Sequence, residues 1–230
     1  QAHYTNKLVA AWNYRFWFNR AMVYSKKLRA AEIHLAANDP KLAQLIKKYG
    51  PCRLRPHTDY YKELLESIVG QQLSVKAADA IWKRVILFFG EVVPTPQQIA
   101  DADTENLRAC GLSYGKVKYM KDLAAHIIDG RLDLTHITSF PNNELIRELT
   151  AVKGIGQWSA HMFMIFSLGR LDILPVGDLG IRKAAMNIYN LRRLPSPERL
   201  IKLSKQNGWP PYESIVAWYL WRNLDPALKT

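Results

Sequence analysis

The sequence predicts an all-α protein of two helical lobes with a central cleft, and three observations carry that expectation. From residue 29 onward apolar residues recur at three- and four-residue spacing. Gly, Pro, Asn and Asp punctuate the pattern at intervals suited to short helices. The strict alternation of a half-buried strand hardly appears, and no fixed-period repeat points to a solenoid.

The elements follow in order. Leu28, Ile33, Leu35, Leu42, Leu45 and Ile46 form a helical stripe that ends at the breaker Gly50-Pro51. Tyr60 to Val69 places Leu64, Leu65, Ile68 and Val69 on one face. After Gly70 a second helix runs from about Ser74, a side chain suited to capping, to Phe89. Pro94, Thr95 and Pro96 open a helix expected over 96–109. Further helices are expected at about 114–128, 143–150, 157–167, 178–190, 196–206 and 212–223, which makes about ten in all.

Composition narrows the partners. The chain has 230 residues, 48% of them hydrophobic and 23% charged, as in folded globular proteins. Its longest apolar run, Ile215 to Trp221, is far short of the roughly 20 residues of a membrane span. Two cysteines, Cys52 and Cys110, cannot build a disulfide framework, an iron–sulfur site or a Cys-rich zinc site, so reduced thiols are expected. The net charge of +12 makes a polyanion the first partner to consider. Residues 1–28 contribute five basic side chains and no acidic one, among Trp12, Tyr14, Phe16, Trp17 and Phe18. They are set apart as an unassigned basic aromatic tail without the pattern of a signal peptide, and residues 29–230 as the domain.

The most informative segment runs from Leu149 to Ala160. A short helix, a turn with Gly154 and Gly156 on either side of Ile155, and a second helix make a helix-hairpin-helix. Glycines let the backbone approach a partner, and the amides opening the second helix suit a DNA phosphate, with Lys153 adding a charge. Twenty residues after Trp158, the loop Leu171-Asp-Ile-Leu-Pro-Val-Gly177 delivers Asp178 to a helix start, with Arg182 one turn on.

Together these residues resemble the helix-hairpin-helix superfamily of base-excision DNA glycosylases, and within it the 3-methyladenine DNA glycosylase II family. Ser67-Ile-Val-Gly-Gln-Gln-Leu-Ser-Val-Lys-Ala-Ala78 and Cys110-Gly-Leu-Ser-Tyr-Gly-Lys116 fit as well, so the likeness spans about residues 29–226. It implies a compact form without the N-terminal β-domain of longer relatives.

The resemblance assigns roles. Asp178 would be the catalytic carboxylate, a role compatible with capping the helix, since negative charge beside C1′ stabilises an oxocarbenium-like transition state. Bifunctional relatives carry a Schiff-base lysine where this chain has Trp158, which implies a monofunctional enzyme without β-lyase activity. Trp158 and Trp221 would line a base pocket favouring cationic alkylpurines such as 3-methyladenine and 7-methylguanine; packing in the core is the competing reading for both. Met162 stands where some relatives carry a third pocket aromatic.

On the turn after the Tyr60–Val69 helix, Gln72 aligns with the side chain that fills the gap left by a flipped nucleotide, with Leu73 as the apolar alternative and Gln71 beside them. Lys153, Gly154, Ile155, Gly156, Ser113 and Lys116 are the candidate backbone contacts to DNA, with Lys118 nearby. By family analogy the carbonyls of Thr150, Val152 and Ile155 would hold a sodium or potassium ion; no other cofactor is expected. His161 reads as structural.

The implied function is excision of alkylated purines from duplex DNA by a monomer acting away from membranes. The setting would be intracellular: the cytoplasm or nucleoid of a prokaryote, or a nucleus ahead of a mitochondrion. The rivals are a non-catalytic helix-hairpin-helix DNA-binding module, which Asp178 argues against, and a glycosylase for another base lesion.

Overall fold

The computed structural model describes residues 24–224, and within them there are twelve helices and no strand. The described residues fall into two compact units. One combines residues up to Arg55 with those from Gly169 onward; the other is Pro56–Leu168. The tail aromatics Trp12, Tyr14, Phe16, Trp17 and Phe18 lie outside the described residues.

The first unit is built from α1 (residues 24–38), α2 (Pro40–Tyr49), α10 (Leu179–Ile188), α11 (Pro197–Gln206) and α12 (Glu213–Leu224). Helix α1 runs across residue 28 and buries Leu28, so the expected break between tail and domain at that position falls inside a helix. Helix α12 packs on α10 and α2 with Ser214 to Leu220 all buried, which explains its long apolar run. Two buried acidic residues lock the early helices to the late ones. Asp39 caps α2 through the amides of Lys41 and Leu42 and takes the Tyr189 hydroxyl and the Trp209 indole N–H. Glu32 accepts from the Cys52 amide and the Tyr219 hydroxyl. Hydrogen-bond donors satisfy both buried acids within the scaffold of this unit. Both cysteines are buried and free, and burial pushes the Cys52 thiol up to about 12, away from reactive thiolate.

The second unit holds α3 (Tyr60–Gly70), α4 (Val75–Phe88), α5 (Pro96–Asp101), α6 (Thr104–Ala109), α7 (Tyr114–Ile128), α8 (Asn142–Ala151) and α9 (Gln157–Met162), which continues as a π-helical turn over Phe163–Ser167. The single helix expected over 96–109 is two. Asp103 turns its carboxylate onto the amides of Glu105 and Asn106, starting α6 afresh where α5 would otherwise continue. Thr95 and Gln98 form the reciprocal capping box of α5. The predicted cap Ser74 holds α4 through the Ala77 amide, and Ser113, expected only as a backbone contact to DNA, caps α7 through the Lys116 amide. The π turn buries Phe163, Met164, Ile165 and Ser167 and packs on α3.

Candidate active site

In the first unit the chemistry gathers at the start of α10. Asp178 is its N-cap, and Oδ1 accepts the Ile181 amide at 2.7 Å. The same oxygen accepts the indole N–H of Trp221 from α12 at 3.2 Å. Trp221 is half-buried and reaches the carboxylate, so it is more than a packing residue. Gly180 makes room for this arrangement, because a Cβ there would stand 3.0 Å from Asp178 Oδ1 and 3.6 Å from the Trp221 ring.

The loop that delivers Asp178 is pinned by a residue the sequence did not reveal. Ser214, wholly buried at the start of α12, donates its backbone N–H to the Leu171 carbonyl at 2.8 Å. Its hydroxyl accepts the Ile173 amide at 3.1 Å and donates to the Ile173 carbonyl. A tight turn follows, with the Asp178 amide donating to Pro175 at 2.9 Å. A serine inside an apolar run signals such a hydroxyl only once its partner loop is known. Arg182 serves the scaffold, its Nε donating to the Pro195 carbonyl.

In the second unit the helix-hairpin-helix forms as expected. Helix α8 ends at Val152, the Ile155 amide returns to the Val152 carbonyl at 3.1 Å, and Val152 and Ile155 are buried beneath the turn. The two glycines differ. Gly154 sits at φ +87, and a Cβ on it would run into the Tyr119 ring. Gly156, the N-cap of α9, has an ordinary extended backbone with open space around it. It contributes no side-chain cap, so no capping side chain accepts the opening amides of α9, the groups a helix start offers to an anion. Trp158, in the first turn of α9, is 55% exposed, which rules out the core reading. Met162 one turn later is half-buried, and His161 is buried, its pKa held down by desolvation.

Several of the candidate backbone contacts have partners within the protein. The Lys153 amide donates to Asp122 Oδ2 at 2.8 Å and its ammonium pairs with Oδ1 at 3.1 Å, so this lysine is held against α7. Burial resists ionisation of Asp122, yet the Lys153 contacts and His126 outweigh it and draw its pKa down. Lys116 donates to the Val69 carbonyl at 2.7 Å, and desolvation lowers its pKa. Ser113 is the cap of α7. In the turn after α3, Gln72 sits at φ +59 with its side chain exposed, Leu73 is exposed beside it, and Gln71 donates to the Gly154 carbonyl.

Among the described residues no group of His, Cys, Asp and Glu is placed to hold a metal ion. The Thr150 carbonyl lies in the last turn of α8, and that of Val152, the C-cap, accepts the Ile155 amide at 3.1 Å and keeps a second lone pair. With that of Ile155 they are neutral oxygens, a donor type that suits a hard monovalent cation better than a transition metal.

Comparison with known proteins finds relatives over most of the chain. The chain is 38% identical over 206 residues to DNA-3-methyladenine glycosylase 1 of Schizosaccharomyces pombe, covering 87% of this chain and 89% of that one. A crystal structure of DNA-3-methyladenine glycosidase from Bacillus halodurans superposes with a TM-score of 0.77 at 39% identity, covering 84% of this chain and 89% of the other. The Schizosaccharomyces pombe 3-methyladenine DNA glycosylase in complex with abasic DNA gives a TM-score of 0.71 at 36% identity, over 84% and 95% of the two chains. Residues 65–210 match the HhH-GPD superfamily base excision DNA repair proteins, a span that takes in the hairpin, Trp158 and Asp178, and the chain belongs to that family.

Proposed function

We propose that this protein is a monofunctional DNA glycosylase that extrudes purines alkylated at N3 or N7 from duplex DNA and hydrolyses their bond to the sugar. The observation that carries the reading is the Asp178 carboxylate at the start of α10, oriented by the Ile181 amide and the Trp221 indole.

The chemistry needs little more from the protein. As the C1′–N bond breaks, its electron pair stays on the purine, where it neutralises the charge that alkylation placed there. Positive charge develops on the sugar, and a preorganised carboxylate beside it lowers the barrier. Water then adds its oxygen to C1′ and gives up a proton, leaving an abasic site. A cationic leaving group needs no strong general acid, which accords with one catalytic carboxylate. Trp158 offers an exposed aromatic face to an electron-poor base and carries no amine for Schiff-base chemistry.

The hairpin binds a phosphate through the amides that open α9, and Gln72 or Leu73 fills the space vacated by the flipped nucleotide. Thr150, Val152 and Ile155 would hold a sodium or potassium ion through their carbonyls, adding positive charge at that phosphate. No helix of the described residues is long and apolar enough to cross a membrane.

The direct test is to incubate the protein with methylated duplex DNA and identify released bases by chromatography. Release of 3-methyladenine and 7-methylguanine is the expected result. DNA binding with no released base would favour the non-catalytic module.

A further inference from the structure

Two features of the second unit assigned to different tasks are joined by one side chain. Gln71 and Gly154 lie 83 positions apart, and the Gln71 side-chain amide donates to the Gly154 carbonyl at 2.7 Å. A carbonyl partner dictates that the nitrogen end of the amide faces it. On one side of this bond Gln71 closes α3, and the Leu73 amide returns to the Gly70 carbonyl at 3.2 Å, forming a turn whose left-handed corner is Gln72. On the other side is the central glycine of the hairpin, fixed at φ +87 under the Tyr119 ring.

Helix α7 braces both ends. Lys116 donates to Val69 in the last turn of α3, Tyr119 covers Gly154, and Asp122 holds the Lys153 amide. These three side chains recur every three residues along α7. A left-handed non-glycine corner with two exposed side chains would sample several conformations if held only by its own backbone.

We infer that Gln71 is a positioning residue that ties the lesion-gap turn to the phosphate-binding hairpin, so that docking of the hairpin on the DNA backbone sets where Gln72 and Leu73 enter the duplex. Gln71 is then the strut and not the wedge. The inference rests on the glycosylase reading above, and its test separates the two.

The variants are Gln71→Ala and Gln71→Glu. Three quantities are measured: affinity for undamaged duplex, the fluorescence gain of 2-aminopurine placed opposite an abasic analogue, and single-turnover release of 7-methylguanine at saturating enzyme. Gln71→Ala should bind undamaged duplex within about twofold of wild type while its excision rate falls about tenfold and most of the fluorescence gain is lost. Gln71→Glu should match Gln71→Ala at pH 7.5, because a carboxylate cannot donate to a carbonyl. Relative to wild type it should recover toward pH 5, where a protonated carboxyl group donates again.

Unchanged fluorescence and excision would overturn the inference. So would a parallel loss of melting temperature and undamaged-duplex affinity with no recovery in acid, since that is the behaviour of a merely structural bond. If wild type releases no alkylpurine yet its fluorescence gain depends on Gln71 in this way, the strut stands and the substrate assignment fails.

Discussion

The indole N–H of Trp221 donates to Oδ1 of Asp178 at 3.2 Å, joining residues 43 positions apart in the chain. That bond keys α12 to the carboxylate at the start of α10. Trp221→Phe keeps an aromatic ring and removes the donor. A hydrogen bond to a charged group is worth about 1.5–3 kcal/mol, so excision should fall roughly ten- to hundredfold with DNA binding intact. Asp178→Asn preserves a capping oxygen and removes the charge, and should lower the single-turnover rate by at least about two orders of magnitude. Rates within threefold of wild type for Asp178→Asn would remove the catalytic assignment.

Ser214→Ala tests how the loop before Asp178 is held. The substitution deprives the Ile173 amide of its hydroxyl acceptor in a buried position. Leaving such a donor unsatisfied costs about 1–3 kcal/mol, so the denaturant midpoint should drop. Excision should fall with it because Asp178 loses its register, while affinity for undamaged DNA changes little. No change in midpoint or rate would mean that the backbone bond to Leu171 alone positions the loop.

The two hairpin glycines should separate stability from binding. Gly154→Ala forces a side chain into the Tyr119 ring at a positive φ and should lower the melting temperature. Gly156→Val meets open space at a φ that any residue adopts, so the fold should persist. Its branched side chain then screens the amides of α9, and affinity for damaged and undamaged duplexes should weaken alike. Undiminished affinity in folded Gly156→Val would move the phosphate anchor elsewhere.

Position 158 can be probed from both directions. Trp158→Ala removes a residue that is 55% exposed, so thermal stability should hold while excision of cationic bases loses stacking worth roughly 1–3 kcal/mol. Trp158→Lys introduces an amine where bifunctional relatives carry one. Borohydride with an abasic-site duplex should trap more covalent adduct for this variant than for wild type. Equal trapping by a folded, DNA-binding Trp158→Lys would show that residue 158 does not face the sugar.

Asp122 predicts an acid-dependent hairpin. Its folded-state pKa lies below the unfolded value of about 3.9, so the folded state binds fewer protons in that window and stability rises with pH across it. The contribution is complete above about pH 4 and is lost as pH falls through the depressed pKa. Compared with Asp122→Asn, wild type should be more stable by about 1–2 kcal/mol at neutral pH, and the two curves should converge in strong acid. Amide exchange at Lys153 should accelerate in the variant. Parallel stability curves from pH 7 to pH 2 would contradict this.

Local chemistry made much of the protein legible in its sequence. Helical spacing and capping residues such as Ser74 and Asp178 act within one turn of chain, so they mark most helices and the hairpin. Asp103 obeys the same rule, yet it was absorbed into one helix over 96–109 because helical periodicity continues past it. Tertiary structure alone decided which side chains do other work. Lys153 and Lys116 look like free cations in the sequence, but Asp122 and the Val69 carbonyl claim them across 31 and 47 positions. Trp158 and Trp221 are the same residue type, yet one is exposed on α9 and the other is bonded to Asp178. A long-range hydrogen bond depends on two backbones arriving together, and no spacing within one segment encodes that arrival. For the same reason Ser214 and Gln71, ordinary polar residues in sequence, gain their roles only from the loop and the hairpin that fold against them.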